Sequence, residues 1–102
     1  MKNFENIKKN FGFGCMRLPT KDGEIVNARF CEMIDTFMAA GFNYFDTARG
    51  YMDEKSEKAV KECLTSRYPR DSYILVDKLT THDFNSNEEI RPFFESQLEA
   101  CG

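Results

Sequence analysis

An α/β fold built on parallel strands is what this sequence predicts, and three observations predict it. Apolar runs at residues 11–18, 43–47 and 73–78 are each followed by a stretch with helical periodicity, at 28–40, 54–66 and 88–101. The connections between them are short. The run Tyr73-Ile74-Leu75-Val76 is continuously apolar, as a strand covered on both faces would be. Three consecutive βα units joined by crossovers of one hand imply a parallel sheet.

Composition sets the bounds. A chain of 102 residues with 41% hydrophobic and 14% aromatic content supports one core, so residues 1–102 read as a single domain. The net charge is −3, with acids and bases interleaved throughout, which argues against a nucleic-acid footprint and against a basic membrane patch. Met1-Lys2-Asn3-Phe4-Glu5-Asn6 carries no apolar signal core, and no run approaches the ~18 apolar residues of a membrane span, so a cytoplasmic protein is expected. The four cysteines, Cys15, Cys31, Cys63 and Cys101, show neither CxxC pairing nor zinc-finger spacing, which argues against a metal site. Cys31 and Cys63 lie within helical patterns, where a reduced cysteine packs as a small apolar residue.

Each element has its own signals. Residues 1–10 offer only Phe4 and Ile7 as apolar anchors and read as a short strand, a turn or a plug over one end of the core. In Phe11-Gly12-Phe13-Gly14-Cys15-Met16-Arg17-Leu18-Pro19 the glycines permit close backbone approach and the proline ends the strand. Lys21-Asp22-Gly23-Glu24 reads as a turn. Asn27 suits the N-cap of a helix whose apolar face carries Phe30, Met33, Ile34, Phe37 and Met38, and Gly41 supplies its stop. The second helix buries Ala59, Val60, Cys63 and Leu64, and Pro69 closes it. The third begins near Asn87, with Glu88 and Glu89 at the positive end of its dipole and Ile90, Phe94, Leu98 and Cys101 on its apolar side. Pro92 fits a first helical turn but not an interior one, which moves the start of that helix a few residues on.

The chemistry concentrates where strands empty into loops. In parallel α/β sheets the carboxyl ends of the strands form the reactive rim, and Asp46, Tyr51 and Lys78 all fall there. A tyrosine donates a proton near neutral pH only if its pKa is brought down from about 10, and an adjacent ammonium does this. Lys78 supplies the ammonium and Asp46 a carboxylate to hold it. A rim salt bridge beside an unrelated tyrosine is the competing reading, and spacing alone leaves both open. Gly12-Phe13-Gly14 lacks the third glycine of a dinucleotide fingerprint, since Arg17 stands in its place. His82 reads as a solvent-facing loop residue, and Arg17 and Arg49 as rim residues with local partners.

Taken together, Gly12-Phe13-Gly14-Cys15-Met16-Arg17-Leu18, Gly41-Phe42-Asn43-Tyr44-Phe45-Asp46-Thr47-Ala48 with Tyr51 and Ser56-Glu57, and Asp77-Lys78-Leu79 resemble the amino-terminal third of an aldo-keto reductase. The resemblance implies three βα units of a (β/α)8 TIM-barrel type fold, with the barrel incomplete. It implies NAD(P)H-dependent reduction of small aldehydes or ketones, with NADPH or NADH bound without a Rossmann motif. By resemblance Asp46, Tyr51 and Lys78 are three members of the family's catalytic tetrad, Tyr51 being the proton donor, and Met16, Arg17, Asp46 and Thr47 meet the nicotinamide end of the cofactor.

The family's histidine follows the fourth strand, beyond Gly102, and His82 does not match it; the phosphate-binding loops near strands seven and eight are likewise absent. A barrel needs about 250 residues, and three strands leave a sheet edge and an apolar face open. The expectation is a truncated or split enzyme, weak or inactive alone, that forms a homo-oligomer or completes a barrel with a partner chain. The alternative is a non-catalytic remnant or interaction module.

Overall fold

The computed structural model describes residues 5–102; Phe4, expected as an anchor, lies outside them. Strands β1 (Gly12–Gly14), β4 (Tyr44–Asp46) and β5 (Ile74–Val76) form one parallel sheet in the order β1-β4-β5, flanked by helices α1 (Asn27–Ala39), α2 (Ser56–Val60) and α3 (Ile90–Cys101). The register aligns Phe13, Phe45 and Leu75 in one row and Gly14, Asp46 and Val76 in the next. Successive residues of a strand face opposite sides. The first row packs against the helices, while the second points to the open face of the sheet. This is the βα rhythm the sequence predicts, in three strands that do not close a barrel.

Phe30, Ile34, Phe45, Val60 and Leu64 are fully buried and form the centre of the core. Around Phe13 the rings of Phe30, Phe37 and Phe45 stand 5.8, 5.3 and 5.7 Å away. Side chains of this size each contribute about 1.5–3 kcal/mol on burial, so this aromatic row holds α1 onto the sheet. Gly12 is required by close approach, because a Cβ there would stand 2.9 Å from the ring of Tyr44. Gly41 ends α1 at φ +96, in the left-handed region that favours glycine.

Several boundaries differ from the sequence reading. Regular pairing ends at Gly14, earlier than the expected 11–18, although the ladder continues as Cys15 N–H donates to Asp46 O at 2.9 Å. The expected turn at residues 21–24 is the tip of a small hairpin, β2 (Thr20–Lys21) with β3 (Glu24–Ile25). Val26, and not Asn27, caps α1, because the Asn27 amide is drawn instead to Glu62 Oε2 at 2.5 Å. The second helix is α only from Ser56 to Val60 and widens to a π-helix over Lys61–Thr65. There the Ser66 hydroxyl bonds back to the carbonyl of Glu62, and the Thr65 hydroxyl donates to Cys101 O of α3 at 2.6 Å. Pro92 sits in the first turn of α3, after a 3-10 turn at Asn87–Glu89, where a missing N–H is tolerated.

Two expectations of burial are corrected. Ile74, Leu75 and Val76 are half-buried because β5 is an edge strand with no neighbour beyond it among the described residues. On α3, Phe94 and Leu98 are 48% and 57% exposed, and Gln97 is buried in their place. Residues 5–10 cross the amino-terminal end of the sheet, where the buried Asn43 side chain accepts from Lys8 N–H and donates to Asn6 O. Among the described residues no helix is long and apolar enough to cross a membrane.

Candidate active site

Parallel pairing brings the ends of β4 and β5 side by side, and with them Asp46 and Lys78. Lys78 Nζ lies 2.5 Å from Asp46 Oδ1 and 3.3 Å from the carbonyl oxygen of Thr47. The same ammonium stands 4.7 Å from the centroid of the Tyr51 ring. Burial pulls the lysine pKa down, but hydrogen bonding to Asp46 and Tyr51 outweighs it, and the ammonium is held above its ordinary value. The three residues are thus one contact group, although 32 positions separate Asp46 from Lys78.

Tyr51 arrives through a tight rim loop. Its N–H donates to Ala48 O, and the chain then passes through three successive left-handed residues, Met52, Asp53 and Glu54, at φ 56, 54 and 67. Such backbone costs of order 1–3 kcal/mol per residue and persists only where the surroundings fix it. Here Met52 Sδ accepts the Leu18 N–H, and Lys55 pairs with Glu24 of the hairpin.

The other expected site residues divide. Met16 and Arg17 are exposed at the exit of β1, and a Cβ built on Gly14 meets nothing within 4 Å, so the rim there is open. Thr47 is fully buried and its hydroxyl pairs with Ser56 Oγ at 2.8 Å, which leaves only its main chain at the rim. Ser56 Oγ in turn donates to Cys15 O at 3.0 Å, tying the ends of β1 and β4 to α2. His82 is exposed in its loop, as the sequence suggested. Cys15 is buried beneath Asp46, and burial, with the Asp46 carboxylate adding, pushes its thiol up to about 12.

Of the support behind the rim, the sequence reading offered Arg49 as a rim residue with local partners and Glu57 within the family resemblance, and it missed Gln97 and Ser96. Glu57 is buried, accepts Arg49 Nε at 2.5 Å and receives Gln97 Nε2 at 3.2 Å. Arg49 also reaches Ser96 Oγ at 2.9 Å and stacks 4.6 Å from the centroid of Phe93. Burial raises the Glu57 carboxyl to about 7, and a hydrogen bond with Asp77 adds to this against the pull of Arg49. Glu57, Asp77 and Cys101 gather three potential ligand atoms within 4.8 Å of one another. With Arg49 on one Glu57 oxygen and Lys78 N–H on Asp77 Oδ1, that cluster is occupied by hydrogen bonds. Helical periodicity does not mark a polar side chain as buried, so the burial of Glu57 and Gln97 had no signal in the sequence.

Comparison with known proteins adds the following. The model of the Aldo/keto reductase family matches residues 10–102. AAD6 of Saccharomyces cerevisiae, whose name refers to aryl-alcohol dehydrogenation, is 39% identical over 59 residues, 58% of this chain and 28% of that protein. Norsolorinic acid reductase stcV of Emericella nidulans is 34% identical over 74 residues, 72% of this chain and 19% of that protein. The chain therefore spans less than a third of the length of either relative. The solved structure of the thermostable aldo-keto reductase Tm1743, with the inhibitor epalrestat, superposes with a TM-score of 0.68 at 17% identity. That superposition covers 88% of this chain and 33% of the other, and it establishes a shared fold.

Proposed function

The chain belongs to the aldo/keto reductase family, and from that premise we propose that its rim provides the proton-donating side of an NAD(P)H-dependent reduction of aldehydes or ketones. The observation that carries this reading is the contact group of Asp46, Lys78 and Tyr51. Tyr51 gives its phenolic proton to the carbonyl oxygen. Lys78 remains charged beside the ring through its pairing with Asp46. NADPH or NADH, when bound, would be the source of the hydride that the carbonyl carbon receives. Met16, Arg17, Asp46 and the Thr47 main chain, flanking the open space at Gly14, would hold the nicotinamide end.

The reading also includes a requirement for further βα units. One open edge carries Phe11, 66% exposed, beside a groove of about 900 Å³ between β1 and α1. The other carries Leu79, Phe94 and Leu98 beyond β5. Apolar edges of this kind call for cover. A homo-oligomer or a partner chain supplying strands would provide that cover, and without it the 102-residue chain is weak or inactive. The competing reading, a non-catalytic interaction module, draws on the same exposed edges.

Light scattering after size exclusion, with NADPH titrated by fluorescence and aldehyde turnover followed in the same fractions, tests the proposal. A defined assembly that binds NADPH and loses turnover with Tyr51→Phe supports it. A soluble species that ignores the cofactor in every fraction favours the interaction module, and robust turnover by the monomer refutes the need for cover.

A further inference from the structure

The two outer edges of the sheet differ, and each offers what the other lacks. Among the described residues β1 and β5 are paired on one side only, and both run parallel to β4. At the β5 edge α3 overhangs the strand. Gln97 holds the helix to the Lys78 carbonyl, while Leu75, Leu79, Phe94 and Leu98 line a cleft of about 410 Å³ that holds no strand among the described residues. At the β1 edge a groove of about 900 Å³ runs between the strand and α1, lined by Phe11, Phe13, Met33 and Phe37 and filled by no helix of the described residues. One edge is a helix without a strand beneath its outer side, and the other is a strand without a helix beside it. Charge agrees with the match. The β1 edge carries Lys9, placed there 4.9 Å from the ring centroid of Phe42, and Arg29 against Glu32. The β5 edge carries Asp71 and Asp77 against Arg70, with Lys78 and Arg91 already paired to Asp46 and Glu95.

We propose that a second copy of this chain covers these edges head to tail, the β1 edge of one copy continuing the parallel ladder of β5 in the next while α3 of that next copy fills the groove between β1 and α1. The proposal rests on the requirement for cover stated above and names what supplies it. Register supports it. Gly12, Tyr44 and Ile74 form one row of the sheet, and continuing that row sets Gly12 of one copy beside Ile74 of the next. Lys9 and Asp71 each stand three positions before their member of the row, so the same register brings a cation level with an anion. Strand pairing satisfies the main-chain donors and acceptors that an edge leaves open, and Phe94 and Leu98 leave water against Phe11 and Met33, all four exposed in the single chain. Like edges match less well. Two β1 edges together leave both grooves without a helix, and two β5 edges set two copies of α3 over one seam. Because two different faces meet, the contact is heterologous, and association continues until a ring closes or a filament grows.

The experiment is light scattering after size exclusion on the purified chain and on two variants, Met33→Lys in the groove and Leu98→Lys on α3, with urea midpoints to show that each is folded. Both residues are exposed, so neither replacement disturbs the core. The unaltered chain is expected to associate as its concentration rises, and each variant alone is expected to remain a monomer. Mixing the two variants in equal amounts is expected to restore a species of twice the monomer mass and nothing larger. The intact α3 of the Met33→Lys copy then enters the intact groove of the Leu98→Lys copy, and the two remaining faces are both blocked. Association lost in only one variant points to a like-edge contact and overturns the proposal, as does a mixture that stays monomeric or grows beyond the dimer. An unaltered chain that is monomeric at every concentration also overturns it and leaves the edges to a different chain. None of these readouts involves NADPH or an aldehyde, so their failure leaves the chemistry assigned to Tyr51 untouched. A head-to-tail assembly that ignores the cofactor sinks that chemistry and leaves the contact standing.

Discussion

Gln97 Nε2 donates to the main-chain carbonyl of Lys78 at 2.7 Å, so a side chain on the outer helix α3 holds the residue at which β5 reaches the rim. The same nitrogen lies 3.2 Å from Glu57 Oε2. Through Glu57 and Arg49 the contact extends to Ser96, closing a circuit from the rim loop through α2 and back to α3. The rim is thereby fixed from behind by buried polar groups whose donors and acceptors are matched.

Replacing Gln97 by Leu keeps the volume roughly constant but strips two buried acceptors of their shared donor. An unsatisfied buried group costs about 1–3 kcal/mol, and we expect a loss of that size. It will be read as a fall in the urea midpoint at an unchanged slope.

Glu57 makes stability depend on pH in a defined direction. Its folded pKa, about 7, lies above the ordinary value of 4.5, so the folded chain binds the proton more tightly than the unfolded chain does. The stabilisation is complete below about pH 4.5 and is lost as pH rises through 7. Glu57→Gln carries no proton to lose. We expect the urea midpoint of the unaltered chain, measured relative to that of Glu57→Gln, to fall by the equivalent of about 2–3 kcal/mol between pH 4.5 and 8.

Lys78→Met separates chemistry from stability. Both partners of the Lys78–Asp46 pair are more than a third exposed, so solvent screening limits its worth to about 1 kcal/mol or less. In whichever assembly reduces carbonyls, we expect Tyr51→Phe and Lys78→Met to lower turnover by about 10²–10⁴-fold with thermal midpoints little changed. Equal losses of midpoint and turnover would make the group structural.

Phe45→Ala and Leu98→Lys contrast the core with the open edge. Phe45 is fully buried between the sheet and α1, and its truncation is expected to cost about 3–5 kcal/mol. Leu98 is mostly exposed, and its replacement is expected to change stability by no more than about 0.5 kcal/mol. If copies associate through that edge, Leu98→Lys will also shift the light-scattering mass toward the monomer.

Much of this was legible in the residues. Phe30, Ile34, Ala59, Val60, Cys63 and Leu64 recur at helical spacing and are all buried, because a 3.6-residue period puts them on one face. The α3 pattern misled: Phe94 and Leu98 have the same periodicity but point to an edge on which nothing packs among the described residues, while Gln97 turns inward. Periodicity marks which face is apolar, not whether a neighbour exists to cover it. The left-handed turn at Met52, Asp53 and Glu54 was also invisible, since none of the three is glycine and the conformation is imposed by contacts with Leu18 and Glu24.

By itself the sequence determined the three βα units, their parallel order and the placing of Asp46, Tyr51 and Lys78 at strand ends, because local periodicity and crossover handedness act along the chain. Only the tertiary structure decided that Lys78 pairs with Asp46 over the Tyr51 ring, that Thr47 turns inward to Ser56, that Gln97 and Glu57 brace the rim and that Cys63 reaches the Asn27 carbonyl. Those contacts join residues that are distant in sequence. Their geometry depends on strand register and on how each helix settles on the sheet, and no local pattern encodes either.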